Sequence, residues 1–339
     1  MWWKGAEQMN IGLIDVDSHN FPNLPLMKIS AYHKGLGDNV EFYNHEKHYG
    51  KVYASKVFTE SMEKYKDINA HEVIKGGSGY DLKNKLPYEI EHQYPDYDLY
   101  NCDFAIGWLT RGCPRVNHSF CITPKKDGCK AVKVADLKEF WKGQKVVSLL
   151  DQNLLACKDK YELLKQMADS KVSFLFDGGL DVRFMTKELT KALKQVKVKE
   201  YHFAWDDPKE DLESKFKLFR DEKVANTGQV GVYVLVNYWS TIEEDLHRIY
   251  VLRSMGYMPY VMIYDKQKYV DSRGKWLKGI DVDEETLRHF KTCQHMQRWA
   301  NNRALIKSVP DFEDYQNYKD WKRKGMQVPT RQRNIFEYM

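Results

Sequence analysis

Between residues 107 and 129 the chain reads GWLTRGCPRVNHSFCITPKKDGC, which puts Cys113, His118, Cys121 and Cys129 on one short segment. Thiolate and imidazole so close together are what a zinc ion or an iron–sulfur cluster needs. Three sulfurs and one imidazole would also close a tetrahedral structural zinc site, though spacings of x4, x2 and x7 match no common zinc module. Half of the six cysteines stand here. The opening MWWKGAEQ carries no signal-peptide pattern, so a cytoplasmic protein is expected, with its cysteines as thiols or metal ligands.

The elements that must position this loop follow from hydrophobic periodicity. A chain of 339 residues is long enough for two modest domains or one large α/β domain with an appendage. With 42% apolar and 30% charged residues it has the composition of a globular protein with a real core. No apolar run is long enough to suggest a membrane span. The net charge of +5 is too small to argue for nucleic acid by itself. Residues 11–16 read as a strand ending in the polar turn Asp17-Ser18-His19-Asn20, and residues 26–33 have helical spacing. Strands follow at 40–43 and 52–57, a polar helix from Glu60, and Val73-Ile74 running into Gly76-Gly77-Ser78-Gly79. Alternation of strands and helices predicts a Rossmann-like parallel sheet over residues 1–80. Residues 81–100, rich in proline, tyrosine and charge, predict a linker lying over the surface.

From 101 to 315 the pattern predicts six strand–helix units, with strands at 104–109, 146–150, 172–176, 200–205, 230–236 and 259–264. Helices are expected at 161–168, 187–195, 211–219 and 243–255. Strands apolar on both faces belong in a parallel sheet covered by helices, and six units in a row predict a partial (β/α)6 TIM-type barrel. Residues 316–339 are expected to form a loosely packed basic tail. The loops after such strands carry the chemistry. Here they hold the Cys/His segment, Asp151-Gln152-Asn153, Asp177-Gly178-Gly179-Leu180-Asp181-Val182-Arg183, Trp205-Asp206-Asp207, Asn237-Tyr238 and Tyr264-Asp265. Any one Asp or Asn among them has a plainer role as a helix cap. Converging from six loops, they favour a polar small-molecule pocket. Gly178-Gly179 allows either a tight turn or close approach of a ligand, and the 76–79 glycines lack the spacing and lysine of a P-loop.

The segments IGLIDVDSHNFPNLPLMKISAYHKG, IEHQYPDYDLY, GWLTRGCPR with FCITPKKDG, VADLKEFWKGQKVVSLLDQNLLACKD, GGLDVRFMT and YHFAWD carry a further signal. Over roughly residues 9–315 the chain resembles the radical S-adenosylmethionine (SAM) superfamily, most of all its members with an N-terminal cobalamin-binding-like domain. The resemblance implies a four-iron–four-sulfur (4Fe-4S) cluster on cysteines spaced C-x3-C-x2-C. SAM on the open iron would be cleaved to a 5′-deoxyadenosyl radical, with flavodoxin or ferredoxin as the kind of reductant. The substrate, small or macromolecular, is not indicated. Cys113 and Cys121 match, but the segment reads Cys113-x4-His118-x2-Cys121, with histidine and one extra residue where the middle cysteine belongs. His118 or Cys129 is therefore left as third ligand, and imidazole would raise the reduction potential. By position, Asp151 and Asn153 are expected at the amino and carboxylate ends of SAM. Asp181 and Arg183 would line the same pocket, with Asp206 and Asn237 nearer the substrate.

The same resemblance makes His19 a candidate cobalt ligand for cobalamin, in a D-x-H-x-x-G-like turn where Pro22 replaces glycine. Ser55 and Gly76-Gly77 would face the nucleotide tail. The plainer reading has Asp17 and Ser18 capping the next helix. A reading from a different class is a non-catalytic scaffold with zinc or no metal at the Cys/His loop, binding nucleic acid or a protein partner.

Overall fold

A computed structural model describes residues 8–19, 21–116 and 118–329. It is a mixed α/β structure with parallel sheets, divided into two compact units. The first ends at Gly178 and takes back Gln195–Lys199, and the second holds Gly179–Lys194 and the chain from Glu200 onward.

The first unit opens with β1 (Asn10–Asp15), α1 (Leu24–Gly35), β2 (Asn39–Phe42), β3 (Tyr49–Ser55) and β4 (Ala70–Gly76). They form a parallel sheet of order β2-β1-β3-β4. The period-two alternation of β1 sends Ile11 and Leu13 to one face, against Leu26 and Ile29 of α1. Ile14 goes to the other, among Tyr43, Tyr49, Val52 and Ala54. Asn23 caps α1 by accepting from the Leu26 N–H (3.3 Å), with Pro25 in the first turn.

Two expectations change here. No helix starts at Glu60: the stretch between β3 and β4 is irregular, with Tyr65 packing its ring on Tyr43 (4.9 Å) and Ile68 joining the same cluster. Apolar cover for that sheet face is supplied by these side chains, so tertiary packing overrides the local helical pattern. Residues 81–100 do more than lie over the surface. They include α2 (Tyr88–Glu91), whose Ile90 enters the first core cluster, and Tyr97, whose hydroxyl is buried against the Ile106 N–H (3.2 Å).

The same unit continues with β5 (Ala105–Gly107), β6 (Thr110–Arg111), α3 (Thr123–Asp127), β7 (Val132–Lys133), β8 (Val146–Leu149), α4 (Lys160–Ser170), β9 (Ser173–Phe176) and β10 (Val198–Glu200). The sheet order is β10-β9-β8-β5, with β5–β8 and β8–β9 parallel. Helix α4 buries Leu163, Leu164 and Met167, a single stripe at helical spacing. The short β6 and β7 pair antiparallel.

The second unit holds α5 (Lys187–Leu193), β11 (His202–Ala204), α6 (Glu213–Asp221), β12 (Gly231–Val236), α7 (Ile242–Ser254), β13 (Met258–Ile263), α8 (Glu284–Ala300), α9 (Arg303–Ser308) and α10 (Gln316–Arg323). Its parallel sheet runs β11-β12-β13. The strand expected at 200–205 is split at the buried Tyr201 between two sheets. The start of the expected basic tail is a packed amphipathic helix: α10 buries Tyr318 and Trp321, and the Trp321 ring stands 5.2 Å from that of His295. Residues 330–339 lie outside the described residues. No helix among the described residues is long and apolar enough to cross a membrane.

A fully buried arginine ties this unit together. Arg248 on α7 donates to the carbonyls of Trp205 (2.6 Å), Asp206 (2.9 Å) and Leu235 (2.9 Å), and pairs with the buried Asp245 one turn earlier. It satisfies carbonyls at the ends of two strands, which would otherwise be orphaned in the interior. Arg248→Ala should therefore cost about 3–5 kcal/mol, since it also strands the Asp245 carboxylate without its partner. Urea unfolding checks this, and a midpoint equal to that of the parent chain would remove Arg248 from this role.

Candidate functional site

The Cys/His loop leaves the end of β5 and is pinched at its base. β6 and β7 form the stem, with Thr110 opposite Lys133 and Arg111 opposite Val132. Above it the Cys113 N–H donates to the Gly128 carbonyl (3.1 Å). Gly112 is required at this crossing. Its φ is +90°, and a Cβ there would stand 2.2 Å from the Lys130 carbonyl oxygen.

Asp151-Gln152-Asn153, at the end of β8, hold this base with three successive side chains. The Asp151 carboxylate accepts from the Leu109 N–H (3.1 Å), the Thr110 N–H (2.6 Å) and the Thr110 hydroxyl (2.6 Å). Gln152 accepts from the Gly112 N–H (3.3 Å) and donates to Asp127 (3.0 Å) at the end of α3. Asn153 donates to the Cys113 thiol (3.4 Å), while its carbonyl oxygen caps the turn at Ala156 (3.2 Å). Burial pushes the Asp151 carboxyl up to about 6, against the opposing pull of Thr110 and Leu109. Gly178, from the end of β9, packs so closely on this turn that a Cβ would lie 2.0 Å from the Asp151 carbonyl. That glycine serves strand packing.

The outer arm of the loop is organised differently. His118 is hydrogen-bonded to Arg115 and stacked on Phe120 at 5.0 Å, and Cys121 donates its N–H to the His118 carbonyl (3.0 Å). Cys113 is buried, Cys121 half-buried and Cys129 exposed. Among the described residues, no three His, Cys, Asp or Glu side chains group closely enough to hold a metal ion. The side chains are of the kind a cluster takes, but a metal bound here would require the outer arm to bring a third donor in.

The other expected residues divide by unit. Asp151 is turned into the protein, with its oxygens taken by the loop base. In the second unit Asp181 accepts from the backbone (3.1 Å) and guanidinium (3.0 Å) of Arg183, whose Nε donates to Glu210 (2.9 Å). The Asp206 carbonyl belongs to the Arg248 network. Asn237, in the left-handed region at φ 63°, donates to the Tyr264 carbonyl (3.1 Å) and joins the ends of β12 and β13. Sequence reasoning missed Gln152 and Arg248. The signal for Arg248 was an Asp245–Arg248 pair one turn apart on an otherwise apolar helix face.

The residues singled out for cobalamin are partly engaged in internal bonds. Asp17 accepts the N–H groups of Val57 and Phe58 (2.8 Å each). These bonds hold its pKa below the ordinary carboxylate value although burial pulls it upward. The Ser55 hydroxyl accepts from Asn23 (2.9 Å), and Asn23 rather than Asp17 caps α1. Of Gly76-Gly77, Gly77 is set by backbone packing, since a Cβ would meet the Lys56 carbonyl at 2.3 Å, whereas a Cβ on Gly76 would meet nothing within 4 Å. Asn20 lies outside the described residues.

Asp151→Ala should destabilise the chain by about 1–3 kcal/mol for each buried donor it leaves unpaired. The same substitution should speed limited proteolysis within residues 112–131. Wild-type cleavage and an unchanged urea midpoint would show that Asp151 does not hold the loop. No family model matches the chain, and no curated protein matches it by sequence.

Proposed function

We propose that the chain is a radical SAM enzyme, with a Rossmann-like N-terminal sheet and the later parallel strands completing a partial (β/α)6 barrel. The observation that carries this reading is the anchoring of Cys113. A buried thiol just beyond the β6–β7 stem receives an amide N–H from Asn153, and such N–H···S contacts orient and tune thiolate ligands. Within each unit the strands of one sheet neighbour one another in chain order, β5, β8, β9 and β10 in the first and β11, β12 and β13 in the second, as successive βα units do.

In this reading Cys113 and Cys121 hold the cluster, with Cys129 or His118 as third ligand. When bound, the cluster supplies the electron that cleaves SAM. Gly112, Asp151 and Gln152 fix the loop base, and Asn153 sets the orientation of the Cys113 sulfur. Arg183, Asp181, Asp206 and Asn237 remain the polar candidates for SAM and substrate, the latter left open.

A second reading is a non-catalytic scaffold with zinc or no metal, and the absence of three grouped donors among the described residues favours its metal-free form. Anaerobic reconstitution separates the two. About four irons with matching sulfide, and 5′-deoxyadenosine after dithionite reduction with SAM, support the enzyme. One zinc without sulfide, or no metal, supports the scaffold. Cys113→Ala should abolish iron loading. Of Cys129→Ala and His118→Ala, the one that lowers cluster content identifies the third ligand, and indifference to both would overturn the ligand set.

A further inference from the structure

The first unit contains a cavity of about 500 Å³, within the range of small-molecule sites. Its floor is apolar: Leu26 and Ile29 of α1, Ile74 of β4, and Leu86 and Ile90 from the segment after β4. Its two ends differ in character. At one, His33 bridges Asp38 (2.7 Å) and the Tyr53 hydroxyl (3.0 Å), so the polar groups there satisfy one another.

At the other end cations accumulate. Lys85, Arg111 and Lys126 all line the cavity. Lys85 and Arg111 share the buried Asp127 carboxylate (3.0 and 3.7 Å), which also takes the Gln152 amide. Glu91 is divided between Arg111 (3.0 Å) and Lys28 (2.9 Å), and Glu89 is exposed at the rim. Lys126 is half-buried; its carbonyl accepts from Lys85 (2.9 Å), but its ammonium makes no hydrogen bond or ion pair among the described residues. Burial lowers its pKa, with Arg111 and Lys85 acting the same way and the neighbouring Asp127 carboxylate opposing them. With Asp127 already shared between Lys85 and Arg111, a partly desolvated third cation is favoured by a further anion.

We propose that this cavity binds a small organic anion, with its apolar body over Leu26, Ile29 and Ile74 and its anionic head between Lys126, Lys85 and Arg111. The site needs no metal at the cysteine loop and is independent of the enzyme reading. Ser55 and Gly76-Gly77, which the resemblance sets against a nucleotide tail, line this same cavity, whereas His19 does not. Because Arg111 lies in β6 and Lys126 in α3, the bound head group touches the two arms of the Cys113 loop.

The test uses the full-length chain and two fluorescent probes of similar shape, anionic anilinonaphthalene sulfonate and neutral N-phenylnaphthylamine. One saturable site is expected for the anionic probe, weakened about tenfold by Lys126→Ala and further by Lys126→Ala with Lys85→Ala, as for loss of a charge-assisted contact. The neutral probe should be indifferent to both changes. Ile74→Trp should exclude both probes while the far-ultraviolet circular dichroism stays native. Displacement by octanoate or by octyl phosphate then distinguishes a carboxylate head from a phosphate head. Binding that is unsaturable, or equal in the parent and lysine variants, would overturn the proposal. So would displacement by octanol as readily as by both anions.

Discussion

The buried carboxylate of Asp151 is the constraint on which the cysteine loop depends. It sits at the end of β8 and accepts from two consecutive N–H groups and one hydroxyl of the segment leaving β5. Those donors emerge from a strand too short to pair them in a ladder, and without Asp151 they would be buried and unsatisfied. A carboxylate with such partners remains costly to bury, which is why its pKa rises to about 6 despite them. Gln152 and Asn153 extend the same grip to Gly112, Asp127 and Cys113, so one tripeptide sets the geometry of both arms of the loop.

From this anchor outward, order in the loop depends on what each residue can bond to. The base is fixed by backbone pairing, by the positive φ of Gly112 and by the β8 side chains. The outer arm has only local contacts, such as His118 with Arg115 and Phe120. A metal site assembled there would draw its third ligand from this arm, coupling ligand binding to loop closure. Asp127 links the same base to the cationic end of the 500 Å³ cavity through Lys85 and Arg111, so cavity and loop share one charge network.

The second unit shows the same logic with the opposite charge at its centre. Arg248 converts three carbonyls from the ends of β11 and β12 into partners of a single guanidinium. Its planar fork suits several acceptors at once, which an ammonium would serve less well. Asp181, Arg183 and Glu210 form a second network in the same unit.

Hydrophobic periodicity by itself determined the strands near 11–16, 52–57, 146–150 and 230–236, and the helices α1, α4 and α7, because a buried face imposes its period on the residues that line it. The sequence also placed Cys113, His118, Cys121 and Cys129 on one segment between β6 and β7, but not with their side chains together. Other features had no local signature. The helix expected from Glu60 gave way to Tyr65 and Ile68 covering a sheet face, a demand made by strands elsewhere in the chain. Asp151 reads in sequence as a ligand-facing residue and Asp17 as a helix cap, and only the tertiary structure turned them onto N–H groups about forty residues away. A polar side chain's partner is chosen by whichever unsatisfied group the fold brings within 3 Å, and that choice is non-local.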